Sequence, residues 1–152
     1  MPHEIPESMM SELGDWNDGA GVPLEAWIEN EGNFRLAVGY TAVFWPKFEA
    51  VGKYIFVEGT SAESIQGFER QRNSTPESVE AVLNHLHLAD LHPYDGADLS
   101  ADKLMCLGGV MKEMWKAKLK WQFPDRPCHV EFFVPDDPDD LESYEITFWQ
   151  KS

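Results

Sequence analysis

The stretch SADKLMCLGGVMKEMWKAKLKWQF, residues 100–123, is the longest segment of the chain with a clear helical period. At about 100° per residue, its apolar residues share one broad face, made up of Leu104, Leu107, Gly108, Val110, Met111, Met114, Trp115, Leu119 and Trp121. Ser100 occupies the N-cap position, and Pro124 ends the helix because the residue before a proline is disfavoured in the α region. The sequence therefore predicts one long amphipathic helix around which the fold is organised.

Two features of this helix allow more than one interpretation. Gly108 and Gly109 each cost a helix about 1 kcal/mol relative to alanine. Either Gly108 lets another element pack closely against a continuous helix, or the helix kinks there and becomes two. Lys118 falls inside the apolar face, and we expect its long side chain to reach solvent from the last turn rather than to act as a buried catalytic amine.

The C-terminus is predicted to form a β-hairpin. Residues 128–134 and 143–150 have strand composition, and Tyr144, Ile146 and Phe148 alternate with other residues along the second strand. The strand predicted at residues 54–57 is expected to join the same sheet. The predicted fold class is α+β, with several helices packed on a small antiparallel sheet that includes the C-terminal hairpin.

Residues 34–45 are apolar on nearly every side, and the sequence favours neither helix nor strand decisively. Asn33 can cap a helix, but the same residues also alternate as a strand would. A helix that is apolar all round is expected to be deeply buried. Further along, Thr75 followed by Pro76 predicts the start of a helix that continues to about Leu88 or Asp90.

The domain organisation follows from where turn residues and acids are concentrated. Residues 1–22 contain scattered Pro, Gly and Ser, and they are predicted to form an irregular acidic N-terminal arm with at most one helical turn, at residues 8–13. Residues 23–152 are predicted to form a single globular α+β domain. A chain of 152 residues is an ordinary size for one domain.

Charge is the most unusual property of the composition. The chain carries 27 acidic and 12 basic side chains, which gives a formal charge of −15. Residues 1–34 contain eight acids and no Lys or Arg, and the first basic residue is Arg35. Such a charge repels nucleic acid and anionic membranes, so neither is expected as a partner. Because the sequence shows no export signal and contains only two cysteines, a cytoplasmic location is expected.

The run NHLHLADLH, residues 84–92, concentrates possible metal ligands in His85, His87, Asp90 and His92. It resembles the HxHxDH signature of metallo-β-lactamase-type hydrolases, although its spacing departs from that signature because Asp90 is three residues past His87. If the run ends a helix, His85 and His87 point in nearly opposite directions and do not share an ion. We therefore expect histidines that interact with the dipole of a helix C-terminus, and no bound metal.

No catalytic or cofactor-binding motif accompanies these features, so no catalytic residue and no cofactor is predicted. The leading hypothesis is a non-enzymatic cytoplasmic interaction protein that binds a basic protein partner, and one form of it is an inhibitor of the immunity or antitoxin kind. The alternatives are a metal-dependent hydrolase that uses residues 85–92, and a domain whose acidity only serves solubility. The candidate partner-binding residues are Glu25, Glu29, Glu31, Asp136, Asp137, Asp139 and Asp140. The oligomeric state is left open.

Overall fold

The computed structural model describes residues 4–152. Within this range the chain forms six α-helices and five β-strands, and two short 3₁₀ turns, Leu88–Leu91 and Leu141–Ser143. In chain order they are α1 (Glu7–Asp15), α2 (Leu24–Glu31), α3 (Phe34–Phe44), β1 (Phe48–Val51), β2 (Tyr54–Val57), α4 (Ala62–Glu69), α5 (Pro76–Leu83), β3 (Leu86–His87), α6 (Ala101–Gln122), β4 (Cys128–Phe133) and β5 (Glu145–Gln150). Helices packed on small antiparallel sheets confirm the α+β class.

The predicted pairing of the C-terminal strands is confirmed, since β4 and β5 are antiparallel with Val130 opposite Phe148. The predicted membership of residues 54–57 in that sheet is wrong. These residues form β2, which pairs with β1 in a separate two-stranded sheet, while the short β3 joins the other edge of β5. Two side chains explain the separation. Glu80 of α5 and Asn84, the residue that follows α5, accept hydrogen bonds from the backbone N–H groups of Ile55 and Val57, and so occupy the edge of β2 where a third strand would pair.

The main core lies between α6 and the sheet of β3, β5 and β4. Its buried residues come from both sheets, from α6, from the 3₁₀ turn at Leu88 and from the residue before β5, and they are Phe48, Ile55, Leu88, Leu104, Met111, Trp115, Leu119, Val130, Tyr144, Ile146 and Phe148. Tyr144, Ile146 and Phe148 therefore all point into the core, as their alternation predicts. A smaller cluster of Tyr54, Phe56, Ile65 and Val79 joins β2 to α4 and α5.

Helix α6 is continuous from Ala101 to Gln122, so of the two interpretations of Gly108 that the sequence left open, the close approach of another element is the one found, and the alternative of a kink is not. The ring of Phe132, on β4, lies directly over Gly108. A Cβ atom added to Gly108 would stand 2.1 Å from the Phe132 ring, well inside van der Waals contact. The missing side chain is what lets β4 approach the helix so closely.

We expect Gly108→Ala to destabilise the protein by roughly 1–3 kcal/mol, because the Phe132 ring or the helix must move. Urea denaturation monitored by circular dichroism would measure the loss. Gly67→Ala in α4 is the matched control, since nothing lies within 4 Å of its added Cβ. It should leave stability unchanged or raise it by up to about 1 kcal/mol. Equal stability of the two variants would contradict the packing.

Helix α5 begins as the sequence predicts but ends earlier. Thr75 caps it with a capping box in which the Ser78 side chain accepts from the Thr75 N–H. The helix stops at Leu83, however, and not at residues 88–90. Asn84 turns its amide inward, accepting from Val57 and donating to the Ile55 carbonyl at 3.0 Å. These bonds to β2 hold the chain out of the helical path, and the next residues pair with β5.

The predicted irregular N-terminal arm is wrong for residues 7–15, which form the nine-residue helix α1. Leu13 is buried, and Ser8 donates both its backbone N–H and its hydroxyl to the Asp102 carboxylate at the start of α6. Hydrogen bonds from Ser100 and then Ser8 hold the pKa of Asp102 below its usual range. Residues 1–3 of the predicted arm lie outside the described residues.

Candidate functional site

The unexpected feature of the fold is the exposure of α3. The sequence predicts burial if these residues are helical, and they are helical, but none of the eleven residues Phe34–Phe44 is buried. Phe34 is 92% exposed and Val38 is 69% exposed. The prediction of a deeply buried helix is therefore wrong. An exposed patch of this kind on a folded protein commonly marks an interaction site.

The exposed side of α3 has the spacing of a helix-packing seam. Phe34, Val38, Thr41 and Trp45 follow one another at intervals of four, three and four residues, which places them along one line on the helix. On other sides of the helix, Val43 and Phe44 pack against the main core. We call Phe34, Val38, Thr41 and Trp45, together with Trp121 of α6, the α3 surface.

Helix α6 extends the α3 surface at one end. Trp121 was predicted to belong to the buried face of α6 but is 72% exposed, and its ring lies 6.2 Å from the ring of Trp45. A shallow groove of about 320 Å³ runs between the two helices, with Val110 and Met114 as its α6 wall. Three residues of the α3 surface are large aromatic side chains that are exposed to water, namely Phe34, Trp45 and Trp121, and exposed apolar patches of this kind mark interaction sites.

Lys118 supports the tryptophan end of this surface. The prediction that its side chain reaches solvent is wrong, because the residue is only 7% exposed. Its Nζ donates to the Pro46 carbonyl at 2.8 Å and to Gln122 Oε1 at 3.0 Å. The same ammonium lies 5.8 Å from the Trp45 ring centre and 6.0 Å from that of Trp121. Burial lowers the pKa of Lys118, yet its donors are committed to these acceptors, which fits a structural cation rather than a catalytic amine.

All seven carboxylates predicted to bind a partner are exposed. Glu25, Glu29 and Glu31 lie on α2, and Glu31 is only three residues before the start of the α3 surface, a span of at most about 10 Å. Asp136, Asp137, Asp139 and Asp140 lie in the connection between β4 and β5. The structure thus places Glu31 close in the chain to the start of the apolar surface and Glu25 and Glu29 earlier on the same helix, while the four aspartates form a separate acidic segment.

The histidine run is placed differently from the prediction. It does not end a helix, since His85 follows α5 and His87 belongs to β3. The rings of His85 and His87 are 5.2 Å apart rather than opposed, because they alternate with Leu86 in extended chain. His87 Nε2 lies 3.5 Å from Glu145, and His92 Nε2 shares a 2.6 Å hydrogen bond with the Tyr40 hydroxyl.

The described residues, 4–152, contain no group of three or more His, Cys, Asp or Glu side chains arranged to hold a metal ion. Asp90 is exposed on the 3₁₀ turn that follows β3. The cysteines lack the microenvironment of a reactive thiol. Burial raises the pKa of Cys106, and it raises the pKa of Cys128 to about 11, whereas catalytic thiols have lowered values.

Comparison with protein-family models, with curated proteins and with solved structures gave no significant match. Within residues 4–152, moreover, no helix is both long and apolar enough to cross a membrane. The cytoplasmic location stays a prediction. The functional argument therefore rests on the α3 surface and its acidic neighbour. The sequence indicated that residues 34–45 are apolar on nearly every side, but it did not single out the line of Phe34, Val38, Thr41 and Trp45, and burial of the helix was expected.

Proposed function

We propose that this protein is a non-enzymatic interaction module that binds a cationic protein partner on the α3 surface. The observation that carries the proposal is the 92% exposure of Phe34 at the head of an apolar helical seam. Leaving such a seam in water forgoes about 25 cal/mol for each Å² that could be buried. A partner helix with apolar residues at matching intervals would recover that free energy by packing along the seam.

The distribution of charge around the α3 surface indicates a cationic partner. Helix α3 carries one charge, Arg35, while α2, which precedes it in the chain, carries Glu25, Glu29 and Glu31. A partner with Lys or Arg flanking its apolar residues would place cations near Glu31, and the other carboxylates of α2 would add to the attraction. The acidic segment at residues 136–140 would add to the field that steers such a partner during encounter. A second copy of this chain would instead bring another formal charge of −15, which opposes self-association.

The biological role that fits this mode is inhibition of a basic protein by covering its cationic surface. Immunity and antitoxin proteins of similar size and charge act in that way, and the analogy is one of charge and size. The apolar seam and the glutamates would then affect different rate constants of binding. The apolar contacts on α3 would slow dissociation, and the carboxylates would accelerate association.

The test uses two synthetic amphipathic helices with the same leucine pattern, one with lysine and one with glutamate on the polar face. We expect the lysine peptide to bind, with an association rate that falls about tenfold or more from low to physiological salt, and the glutamate peptide not to bind. Stopped-flow fluorescence of the tryptophans would measure both. The double variant Glu29→Lys, Glu31→Lys should slow association without changing the melting temperature. The control Glu63→Lys on α4 should leave the association rate close to that of the parent.

Val38→Asp separates docking from plain charge attraction. The substitution makes the protein more acidic, so attraction alone would strengthen binding of the lysine peptide, whereas docking on the seam predicts at least tenfold weaker binding. Unchanged or tighter binding by Val38→Asp would overturn the proposal, as would binding insensitive to salt. A dimer of the free protein that Val38→Asp dissociates, seen by analytical ultracentrifugation, would assign the seam to a second copy instead. If neither peptide binds, the proposal fails, and the alternative that the acidity of the domain only serves solubility is left.

A further inference from the structure

A cavity of about 270 Å³ lies beneath α3, on the side opposite the α3 surface. Its walls come from the inner side of α3, the 3₁₀ turn Leu88–Leu91 and the N-terminal half of α6. The lining is mainly apolar and includes Val43, Phe44, Leu88, Leu91, Leu104 and Leu107. The cavity is therefore part of the main core that has been left open to one side.

The cavity is a mainly apolar cleft that opens to one side, and small-molecule sites are commonly clefts of this kind. A void of about 150 Å³ with leucine, isoleucine and phenylalanine walls stays dry and takes up benzene. The cavity beneath α3 has nearly twice that volume, so a two-ring aromatic compound would fit and would recover contacts that the empty walls forgo.

Polar and charged residues complete the lining of the cavity. The Tyr40 hydroxyl and His92 Nε2 share a hydrogen bond of 2.6 Å, and both residues line the wall. Asp95, Asp98 and Lys103 also line it, and the Lys103 ammonium donates to the Asp98 backbone carbonyl at 2.6 Å. Two carboxylates against one ammonium give the lining a net negative charge, which favours a neutral or cationic ligand over an anionic one.

We propose that this cavity binds a small aromatic compound of about ten non-hydrogen atoms, neutral or singly positive, with its polar group at the Tyr40–His92 pair. Apolar walls with a few convergent polar groups are the usual design of a small-molecule site. None of the residues of the α3 surface lines the cavity, although Tyr40 and Phe44 line both the cavity and the groove between α3 and α6.

The experiment compares indole, tryptamine and indole-3-acetate, which share one ring system and differ in charge. Isothermal titration should show binding of indole and tryptamine, and at least tenfold weaker binding of indole-3-acetate. Hydrogen exchange should locate the protection at α3 and the residues around Leu88. Leu107→Trp, which fills the cavity, should abolish binding, and Ala89→Leu provides a smaller filling if that variant is unstable. Glu63→Lys on α4 is the surface control and should bind as the parent does.

Tyr40→Phe separates the polar contribution from the apolar one. It removes the hydroxyl that pairs with His92 while keeping the ring, so it should weaken tryptamine more than it weakens a purely apolar probe such as naphthalene. No binding of any probe at millimolar concentration would overturn the proposal. Binding that survives both cavity-filling variants, or that is tightest for indole-3-acetate, would overturn it as well.

Discussion

Phe148→Asp is expected to leave the chain unfolded at room temperature. The Phe148 side chain is 0% exposed, and its ring meets those of Phe48 at 4.9 Å and Trp115 at 6.1 Å. Aspartate at this position would bury an unpaired carboxylate among aromatic rings. It would also remove the packing contacts that the Phe148 ring makes with Phe48 and Trp115. Domains of this size are stable by only about 5–15 kcal/mol, and the two costs together reach that range.

Circular dichroism and an amide NMR spectrum would show whether Phe148→Asp folds. Phe148→Leu provides a measurable variant, with an expected loss of roughly 1–2 kcal/mol in urea denaturation. Glu145→Lys is the matched control at the other end of β5. Glu145 is partly exposed and its contact with His87 is long, at 3.5 Å, so its replacement should change stability by less than about 1 kcal/mol. A Phe148→Asp protein that melts like the parent would contradict the inward direction of Phe148.

Glu80→Ala is expected to destabilise the protein by roughly 3–5 kcal/mol, because Glu80 joins the two sheets through hydrogen bonds that nothing else replaces. The residue is 1% exposed. Its carboxylate accepts from the Ile55 N–H at 2.8 Å, from the Gln150 N–H at 3.0 Å and from the Gln150 side-chain amide at 2.8 Å. Removing it leaves buried backbone donors of β2 and β5 without acceptors.

Urea denaturation would measure this loss, and hydrogen exchange would locate it at β2 and β5. Glu80→Gln should cost less than Glu80→Ala, because one amide oxygen can still accept while the NH₂ group faces a donor. Glu63→Ala, an exposed carboxylate in the first turn of α4, should change stability by only a few tenths of a kcal/mol. If Glu80→Ala were as mild as Glu63→Ala, the two sheets would have to be held together by other contacts.

Local sequence determined the elements whose causes are local. The helix starts at Asn33 and Thr75 depend on a side-chain oxygen that accepts from a backbone N–H three residues later. The start at Thr75 forms as predicted, and Asn33 caps a helix where the sequence had left helix and strand both open. The direction of Tyr144, Ile146 and Phe148 into the core follows from the alternation of a strand, and their burial confirms it. Gly108 on the apolar face of α6 indicated either a close approach or a kink, and the sequence left that choice open. The partner-binding role of the seven acidic candidates stays a prediction.

Only the tertiary structure decided which faces are covered and which hydrogen-bond partners are used. The sequence of α3 shows that most of its residues are apolar. Whether another element covers Phe34 and Val38 depends on how segments distant in the chain pack. Lys118 is buried because the Pro46 carbonyl, 72 residues away, accepts from it. Helix α5 stops at Leu83 because Asn84 bonds to β2, across 27 residues. Glu80 of α5 accepts a hydrogen bond from the free edge of β2, and β2 therefore belongs to a separate sheet. Each of these outcomes depends on a partner distant in the chain, and local periodicity contains no information about that partner.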